Sequence, residues 1–492
     1  MKDLRSFIQL LEKRQALARV SAPVSAALEI TEITDRMSKQ PPETNKALLF
    51  EQVRDADGQA YDAPVLINAF GSEQRMALAL GVDRLEALNE RLGRLIDPRL
   101  PRGIGEVFGR GRDLLGALKN VGLRPRIVRS GPVQEVIETA NPSLDFLPIL
   151  TCWPNDGGPF ITLPQVITRN PQTGVRNVGM YRMQKVDGQT LIVHWQRHKG
   201  GADHEQRARL LQQTRIPAAV ALGGDPASMW CASAPLPPEI DEYLLAGYLR
   251  GEPVEFIRCV SQPLEVPAHA EVVIEGYVDL TDYRDEGPFG DHTGYYTPVE
   301  RFPAFHVTAV TRRKNPIYPA TVVGIPPMED VWMGKATERL FLPLIRMVMP
   351  EVLDIHMPAE GVFHNLVLVR LQKRFPGHAR KVMHGLWGLG LLTLAKAIVV
   401  VDEWVDVQNL SQAAWQTFGN VDWSRDILIT PGPVDQLDHA SYTPLYGGKI
   451  GIDATAKWPE EGYARGWPEV ARMSPEVQQR VDTLWKEIIQ TK

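Results

Sequence analysis

Arg176-Asn-Val-Gly-Met-Tyr-Arg-Met-Gln-Lys-Val-Asp-Gly-Gln-Thr-Leu-Ile-Val-His-Trp195 decides the class of fold. Arg176–Lys185 and Thr190–Trp195 are strand-like, and Asp187-Gly188 between them is the strongest short hairpin signal a sequence offers. Just upstream, Gln165–Thr168 is a further strand, joined to the first through the turn Arg169-Asn-Pro-Gln-Thr-Gly174. Downstream, Ala218–Leu222, Val254–Cys259, Ala270–Asp279 and Ala304–Arg312 continue the pattern, with a helix expected over Glu239–Arg250. Many strands of similar length joined by hairpins predict a small barrel or sandwich over residues 121–325.

On the N-terminal side, residues 1–120 read as a mixed α/β unit. Leu4, Phe7, Ile8 and Leu11 recur at helical spacing, as do Leu28, Ile30, Ile33 and Met37. Ala47–Val53 and Ala63–Ala69 are strand-like, followed by helical patterning through Arg94. Gly103, Gly105 and Gly109 miss a dinucleotide fingerprint by one residue and follow no strand. On the C-terminal side, Val331–Val348 reads as one long bridging helix with Pro343 expected to kink it. Beyond it, strands at Val362–Leu371, Ala397–Val401 and Ile427–Ile429 alternate with helices at Gly377–Leu394 and Val407–Gln416, before a last helix near Pro475–Ile489. That alternation predicts parallel strands with right-handed crossovers. The chain as a whole is read as α/β, an α+β multidomain protein.

Composition narrows the setting. The 492 residues carry a formal net charge of -5, which argues against a nucleic-acid binder relying on a basic surface. Three dispersed cysteines (Cys152, Cys231, Cys259) make neither a disulfide framework nor a structural zinc site, which suits a reducing cytoplasm. The first residues lack an apolar signal core, and the run Gly385–Val401 is broken by Lys396 and too short for a span. No transmembrane segment is expected, only peripheral membrane contact at most.

Two clusters carry chemistry. Glu286-Gly-Pro-Phe-Gly-Asp-His-Thr-Gly-Tyr-Tyr296 packs acids, an imidazole, hydroxyls and rings into an irregular loop. On a helix, Glu286 and Asp291 would point about 140° apart; in a tight loop both can turn into one pocket, the alternative being a surface turn with solvated acids. The second cluster is Asn177–Arg182 with His194-Trp-Gln-Arg-His198-Lys-Gly-Gly201 across the turn. On a regular strand Asn177, Gly179 and Tyr181 share one face, as do His194 and His198. An amide and an imidazole, with Glu242 from the following helix, could hold a divalent cation, and Lys199 beside its glycines suits a phosphate. A partly exposed basic hairpin with satisfied histidines is the plainer reading. Lys396 opens a buried strand, either as a snorkelling lysine or as an anion ligand. There is no nucleophile elbow, no phosphate-binding P-loop and no zinc-protease helix, since Ala208 stands where a second histidine would follow His204-Glu205.

Asn177…Arg182, Pro235-Leu-Pro-Pro…Asp241-Glu242 and Glu286-Gly-Pro-Phe-Gly-Asp291-His-Thr-Gly-Tyr-Tyr together resemble the UbiD family of reversible decarboxylases, nearly end to end and in order. The resemblance implies an N-terminal α/β domain (1–120), a split β-barrel holding prenylated FMN (121–325), a linker helix (326–355) and a C-terminal α/β oligomerisation domain (356–492). It implies Mn2+ at the flavin phosphate, with K+ nearby. Asn177, His194 and Glu242 match metal ligands, with His198 a rival to His194. Met180, Tyr181, Arg182, Trp195, Gln196, Lys199 and Gly200 match cofactor contacts, and Lys396 a phosphate-side lysine. Arg182, Glu286 and Asp291 match the catalytic trio, with Asp in the last place as in relatives acting on aromatic acids.

The implied activity is reversible, non-oxidative decarboxylation of an aromatic or α,β-unsaturated acid. Candidate substrates are a prenylated 4-hydroxybenzoate or menaquinone precursor of quinone biosynthesis, or a free aromatic acid. A flavin prenyltransferase would supply the cofactor to a cytoplasmic homodimer or homohexamer. Arg182 is expected to orient the substrate carboxylate with Glu286 ionised against it. Asp291 is expected to stay protonated, by burial or by its neighbour Glu286, and to return a proton. The alternatives are an FMN oxidoreductase on the same barrel and a non-catalytic assembly subunit.

Overall fold

The computed structural model describes residues 1–96 and 124–490. The three glycines of the near-miss fingerprint lie outside the described residues. At the N-terminus, helix Leu4–Lys13 is capped by the Asp3 carboxylate, which accepts from the Ser6 N–H at 3.0 Å. Its apolar stripe, Leu4, Phe7, Ile8 and Leu11, is buried as the spacing predicted. Helices Glu29–Ser38, Glu73–Ala79 and Glu86–Ile96 accompany a four-stranded sheet ordered Leu17–Val20, Ala47–Phe50, Val65–Ile67, Tyr318–Pro319. The last of these strands lies inside the sequence-drawn central unit, so the N-terminal sheet borrows chain from beyond residue 120.

The central unit is one nine-stranded antiparallel sheet. Along it run Arg176–Gly179, Gln165–Arg169, Arg215–Leu222, Val272–Glu286, Glu300–Arg312, Thr190–Val193, Met183–Asp187 and Phe160–Ile161, with Val136–Glu138 pairing Glu300–Arg312. The Asp187-Gly188 hairpin is present, pairing Met183 with Val193 and Asp187 with Thr190.

One expectation fails in an informative way. Arg176–Lys185 is two strands, interrupted at Met180-Tyr181-Arg182, and the two halves stand six steps apart in the sheet. The Met180 N–H leaves the ladder for the Ala232 carbonyl at 2.8 Å. The Tyr181 ring folds back to where a Cβ on Gly179 would be, 1.9 Å from that position. Asn177, Gly179 and Tyr181 therefore do not line one regular face. Six steps in a flat sheet would span about 29 Å, whereas the four residue steps from Gly179 to Met183 reach at most about 14 Å. The sheet must curl until its ends meet, although no ladder joins them among the described residues. That is a split barrel, and residues 180–182 cross the split.

Strands in the middle of this sheet are buried on both faces. Ala219, Ala221 and Val273 pack with the N-terminal helices, while Val220, Leu222, Val272, Ile274 and Phe305 fill the opposite face. The linking helix Glu329–Val348 runs through Pro343 and gives Met333, Ala336 and Leu340 to the first core and Leu342 and Ile345 to the C-terminal one.

The C-terminal sheet is ordered Val352–His356, Leu366–Leu371, Ala397–Asp402, Tyr446–Asp453, Ile427–Pro433. Its three inner strands are parallel as expected, but both edges are antiparallel, Ile427–Pro433 among them. The expected helix Gly377–Leu394 stops at Trp387, and a 3₁₀ turn Gly390–Leu394 follows, entered at Gly390 with φ +50°.

Phe305 sits fully buried on a central strand, its ring 2.8 Å from where Gly276 would carry a Cβ. Phe305→Ala is expected to cost about 3–5 kcal/mol, read as a lower urea midpoint; an unchanged midpoint contradicts this packing.

Candidate active site

The chain break at 180–182 sends Arg182 into the barrel, and the end of a long strand brings Glu286 to meet it. Glu286 closes Val272–Glu286, Gly287 (φ +96°) turns the chain away, and the ribbon Phe289–Gly290/Tyr296–Thr297 carries Asp291 back. Arg182 donates from Nε to Glu286 Oε1 at 2.7 Å and from Nη2 to Oε2 at 3.0 Å, a two-point grip. Nη2 also donates to Thr297 Oγ1 at 3.0 Å, and Nη1 pairs with Asp291 Oδ2. The guanidinium carbon lies 4.6 Å from the centre of the Phe289 ring. Arg182, Glu286 and Asp291 are thus brought together, and all three are shielded from solvent.

Protonation follows from these contacts. Burial alone would raise the Glu286 carboxyl, but hydrogen bonds and charge from His194 and Arg182 outweigh it and hold the group at about 2. His194 Nδ1 lies 3.1 Å from Glu286 Oε2. Burial also opposes ionisation of Asp291, and is again outweighed, here by His292, whose Nδ1 is 2.8 Å from Asp291 Oδ1, and by Arg182. Both acids are ionised in this state. The expectation that Asp291 stands protonated is not met, because it faces two cationic groups that sequence order could not weigh: His292, itself held above its usual pKa, and Arg182.

The second cluster divides. Asn177 and Glu242 are neighbours: Glu242 Oε2 accepts the N–H of Val178 at 2.8 Å. The Asn177 amide lies against the start of helix Gly200–Leu210, where a Cβ on Gly200 would fall 1.9 Å from Asn177 Oδ1. His194 turns instead toward Glu286, and its Nε2 is buried with no partner among the described residues. His198 is exposed on a turn, because the strand ends at Val193. Among the described residues, no three His, Cys, Asp or Glu side chains gather as a metal-binding group. Tyr181 accepts from the Gly201 N–H at 3.0 Å and packs edge-on to Trp195, whose Nε1 donates to Glu205 at 2.8 Å. Met180 packs against the core, Gln196 is half-buried, and the Gln196 carbonyl accepts from the Lys199 N–H at 3.0 Å. Lys199 precedes helix Gly200–Leu210, whose first turn has no side-chain cap among the described residues. Lys396 stands apart: its ammonium donates to Asp438 at 2.8 Å in the C-terminal unit.

Glu242 bears on a cation directly. Burial pushes its carboxyl up to about 8 despite the Val178 N–H. A buried carboxyl held to the strand that carries Asn177, its charge opposed by burial, is a donor that a divalent cation would satisfy. Residues from the C-terminal unit also reach the site, and sequence reading named none of them: His364 meets His292, and His439 lies against Tyr295 with ring centres 4.1 Å apart. No local pattern marks them, since only the fold brings them across.

Residues 8–95, 126–326 and 331–454 match family models described as the N-terminal, Rift-related and C-terminal domains of 3-octaprenyl-4-hydroxybenzoate carboxy-lyase. An uncharacterized protein of Aquifex aeolicus is 50% identical over 486 residues, covering 98% of both chains. The closed form of Sedimentibacter hydroxybenzoicus vanillic acid decarboxylase is 26% identical, with a TM-score of 0.85 over 99% of each chain. The UbiD-class enzyme HmfF from Pelotomaculum thermopropionicum, solved in complex with FMN, is 27% identical with a TM-score of 0.78, covering 97% of this chain and 98% of that one.

The raised Glu242 carboxyl has a stability signature. An unfolded glutamate ionises near about 4.3, whereas the folded group keeps its proton to about 8. The folded state therefore binds more protons in that window, and stability falls as pH rises through it. Glu242→Gln should raise the thermal midpoint of the cation-free protein at pH ~8, with little change at pH ~5; equal offsets at both values contradict the assignment.

Proposed function

The chain belongs to the UbiD family of carboxy-lyases, and we propose that it decarboxylates an aromatic or α,β-unsaturated acid on prenylated FMN. Arg182 and Glu286 orient the substrate carboxylate, and Asp291 returns the proton. The observation that carries this reading is the buried Arg182 guanidinium held between two carboxylates from one loop. Loss of carbon dioxide leaves an electron pair on carbon that no side chain can accept, and the modified flavin, when bound, supplies that sink. The flavin-bound relative HmfF and the aromatic substrate in the name of the vanillic acid decarboxylase support the choice of cofactor and substrate class.

The residues present fit such a cofactor. Asn177 and Glu242 would hold a divalent cation such as Mn2+ at its phosphate, with His194 or His198 as a further ligand and K+ alongside. Lys199 and the backbone at Gly200 would meet the phosphate. Met180, Tyr181, Trp195 and Gln196 would contact the flavin beside Arg182. Lys396, already paired with Asp438, would have to exchange that partner to take part.

Arg182 has five N–H groups. Glu286 takes two, Thr297 one and Asp291 one, so a single Nη1 proton is left. An incoming carboxylate binds on the Nη1 side and competes with Asp291, while the two-point grip of Glu286 on Nε and Nη2 persists. Asp291 then loses one of the two cationic groups that hold it ionised and keeps its burial, a change toward the neutral acid. Substrate binding itself thus creates the proton donor. The apolar side chains Trp415, Phe418 and Ile429, exposed on the C-terminal unit, support a homo-oligomer assembled through it. No helix among the described residues is long and apolar enough to cross a membrane.

Protein co-produced with a flavin prenyltransferase should release carbon dioxide from members of an aromatic-acid panel. Asp291→Asn should retain its flavin and lose turnover by at least about 10²-fold. A near-parental rate in that variant overturns the role given to Asp291, and reversible bleaching of the parent by a nicotinamide donor points to an oxidoreductase instead.

A further inference from the structure

Behind Asp291 lies a second layer that the trio does not use. His292 Nδ1 is 2.8 Å from Asp291 Oδ1, and on its far side His292 Nε2 is 2.9 Å from His364 Nε2. His364 comes from the C-terminal unit, 72 residues further along the chain. Its own Nδ1 is buried with no partner among the described residues. The two residues before it hold the left-handed backbone, Val362 at φ +50° and Phe363 at φ +42°, which a β-branched and an aromatic residue rarely adopt. The Phe363 ring lies on His292, with centres 5.3 Å apart.

Two facing Nε2 atoms share one proton, so one ring donates and the other accepts. His292 is the donor. Burial works against its charge, but Asp291 outweighs burial and holds it above its usual pKa. His364 is the acceptor, since burial and the neighbouring His292 charge push it down to about 4. Asp291, Asp330 and Asp435 face His292, while Asp435, Lys199 and Asp291 face His364. Asp330, on the first turn of the linking helix, is itself lifted by burial to about 7.

We propose that His292 stores the proton that Asp291 delivers, and that His364 is the positioning residue that keeps His292 charged and aimed. The inference rests on the decarboxylase reading above. When substrate displaces Asp291 from Arg182, the Nδ1–H bond of His292 breaks and an O–H bond forms on Asp291 Oδ1, leaving a neutral imidazole and a neutral acid. Asp291 gives that proton to the carbon that lost carbon dioxide, returning to a carboxylate. His292 then takes one proton from solvent as product leaves, so each turnover consumes one proton. The site is complete only when the C-terminal unit lies against the barrel, which ties proton supply to that contact.

The test is the pH dependence of kcat for the flavin-loaded enzyme, with KM measured alongside. In the parent, the alkaline limb reports deprotonation of His292. His364→Ala removes the acceptor and should move that limb to lower pH by about one unit, a loss in kcat that approaches about tenfold at pH above the parent's limb, with KM unchanged. His364→Gln, whose amide oxygen can accept the same hydrogen bond, should restore the limb. If His364→Ala does not fold, His364→Phe takes its place, since it too lacks an acceptor. A limb that stays fixed in these variants, as one set by Asp330 would, overturns the inference, and so does a uniform loss at every pH. A parent that releases no carbon dioxide from any acid instead overturns the reading beneath it, and the inference with it.

Discussion

A guanidinium almost wholly withdrawn from water keeps its charge only where carboxylates and hydrogen-bond acceptors replace the lost solvent. At Arg182 that condition recruits distant parts of the chain: Glu286 from the end of a fifteen-residue strand, Asp291 and Thr297 from the ribbon after it. Arg182 itself sits where one strand ends and another begins on the far side of the sheet. Curling the barrel and assembling the charged trio are therefore one structural event. Truncating any member would leave a buried charge without its partner, which is more costly than losing the same contact at a surface.

The same arrangement explains why the resting site is not yet an acid. With Arg182 and His292 both against it, Asp291 is a better ion-pair partner than proton donor. In the proposed reaction a competing anion at Arg182, the substrate carboxylate, shifts that balance, and His292 is the cation that remains. Coupling acid formation to substrate occupancy also keeps an unloaded pocket from holding a buried reactive acid. In the same proposal Glu286 stays ionised, since its two-point contact and His194 do not involve the Nη1 edge that the substrate takes.

Much of this could be read from residue order alone. Glu286, Asp291 and their glycines lie within one short loop, and Asp187-Gly188 fixes the hairpin next to Arg182, so local chemistry sufficed for both. Long-range geometry defeated the rest. Alternation predicted a shared face for Asn177, Gly179 and Tyr181, but the ladder stops at Gly179 and the tyrosine ring folds over it. The contact of His194 Nδ1 with Glu286, made just beyond the end of its strand, was equally out of reach of residue spacing. The ionisation of Asp291 depends on His292 and on burial, neither of which residue spacing can measure. His364 carried no signal at all, since its meaning comes only from a domain contact.

In the proposed cycle Asp291 is a carboxylate at rest and becomes an acid when another carboxylate takes its place on Arg182. Infrared difference spectra of isotope-labelled aspartate, with Asp291→Asn as the subtraction, report that one group. A carboxylate signal is expected in the flavin-loaded, ligand-free enzyme, and a protonated carboxyl signal on saturation with an unreactive aromatic acid. A protonated signal before the ligand is added, or a carboxylate signal that persists after saturation, would contradict it.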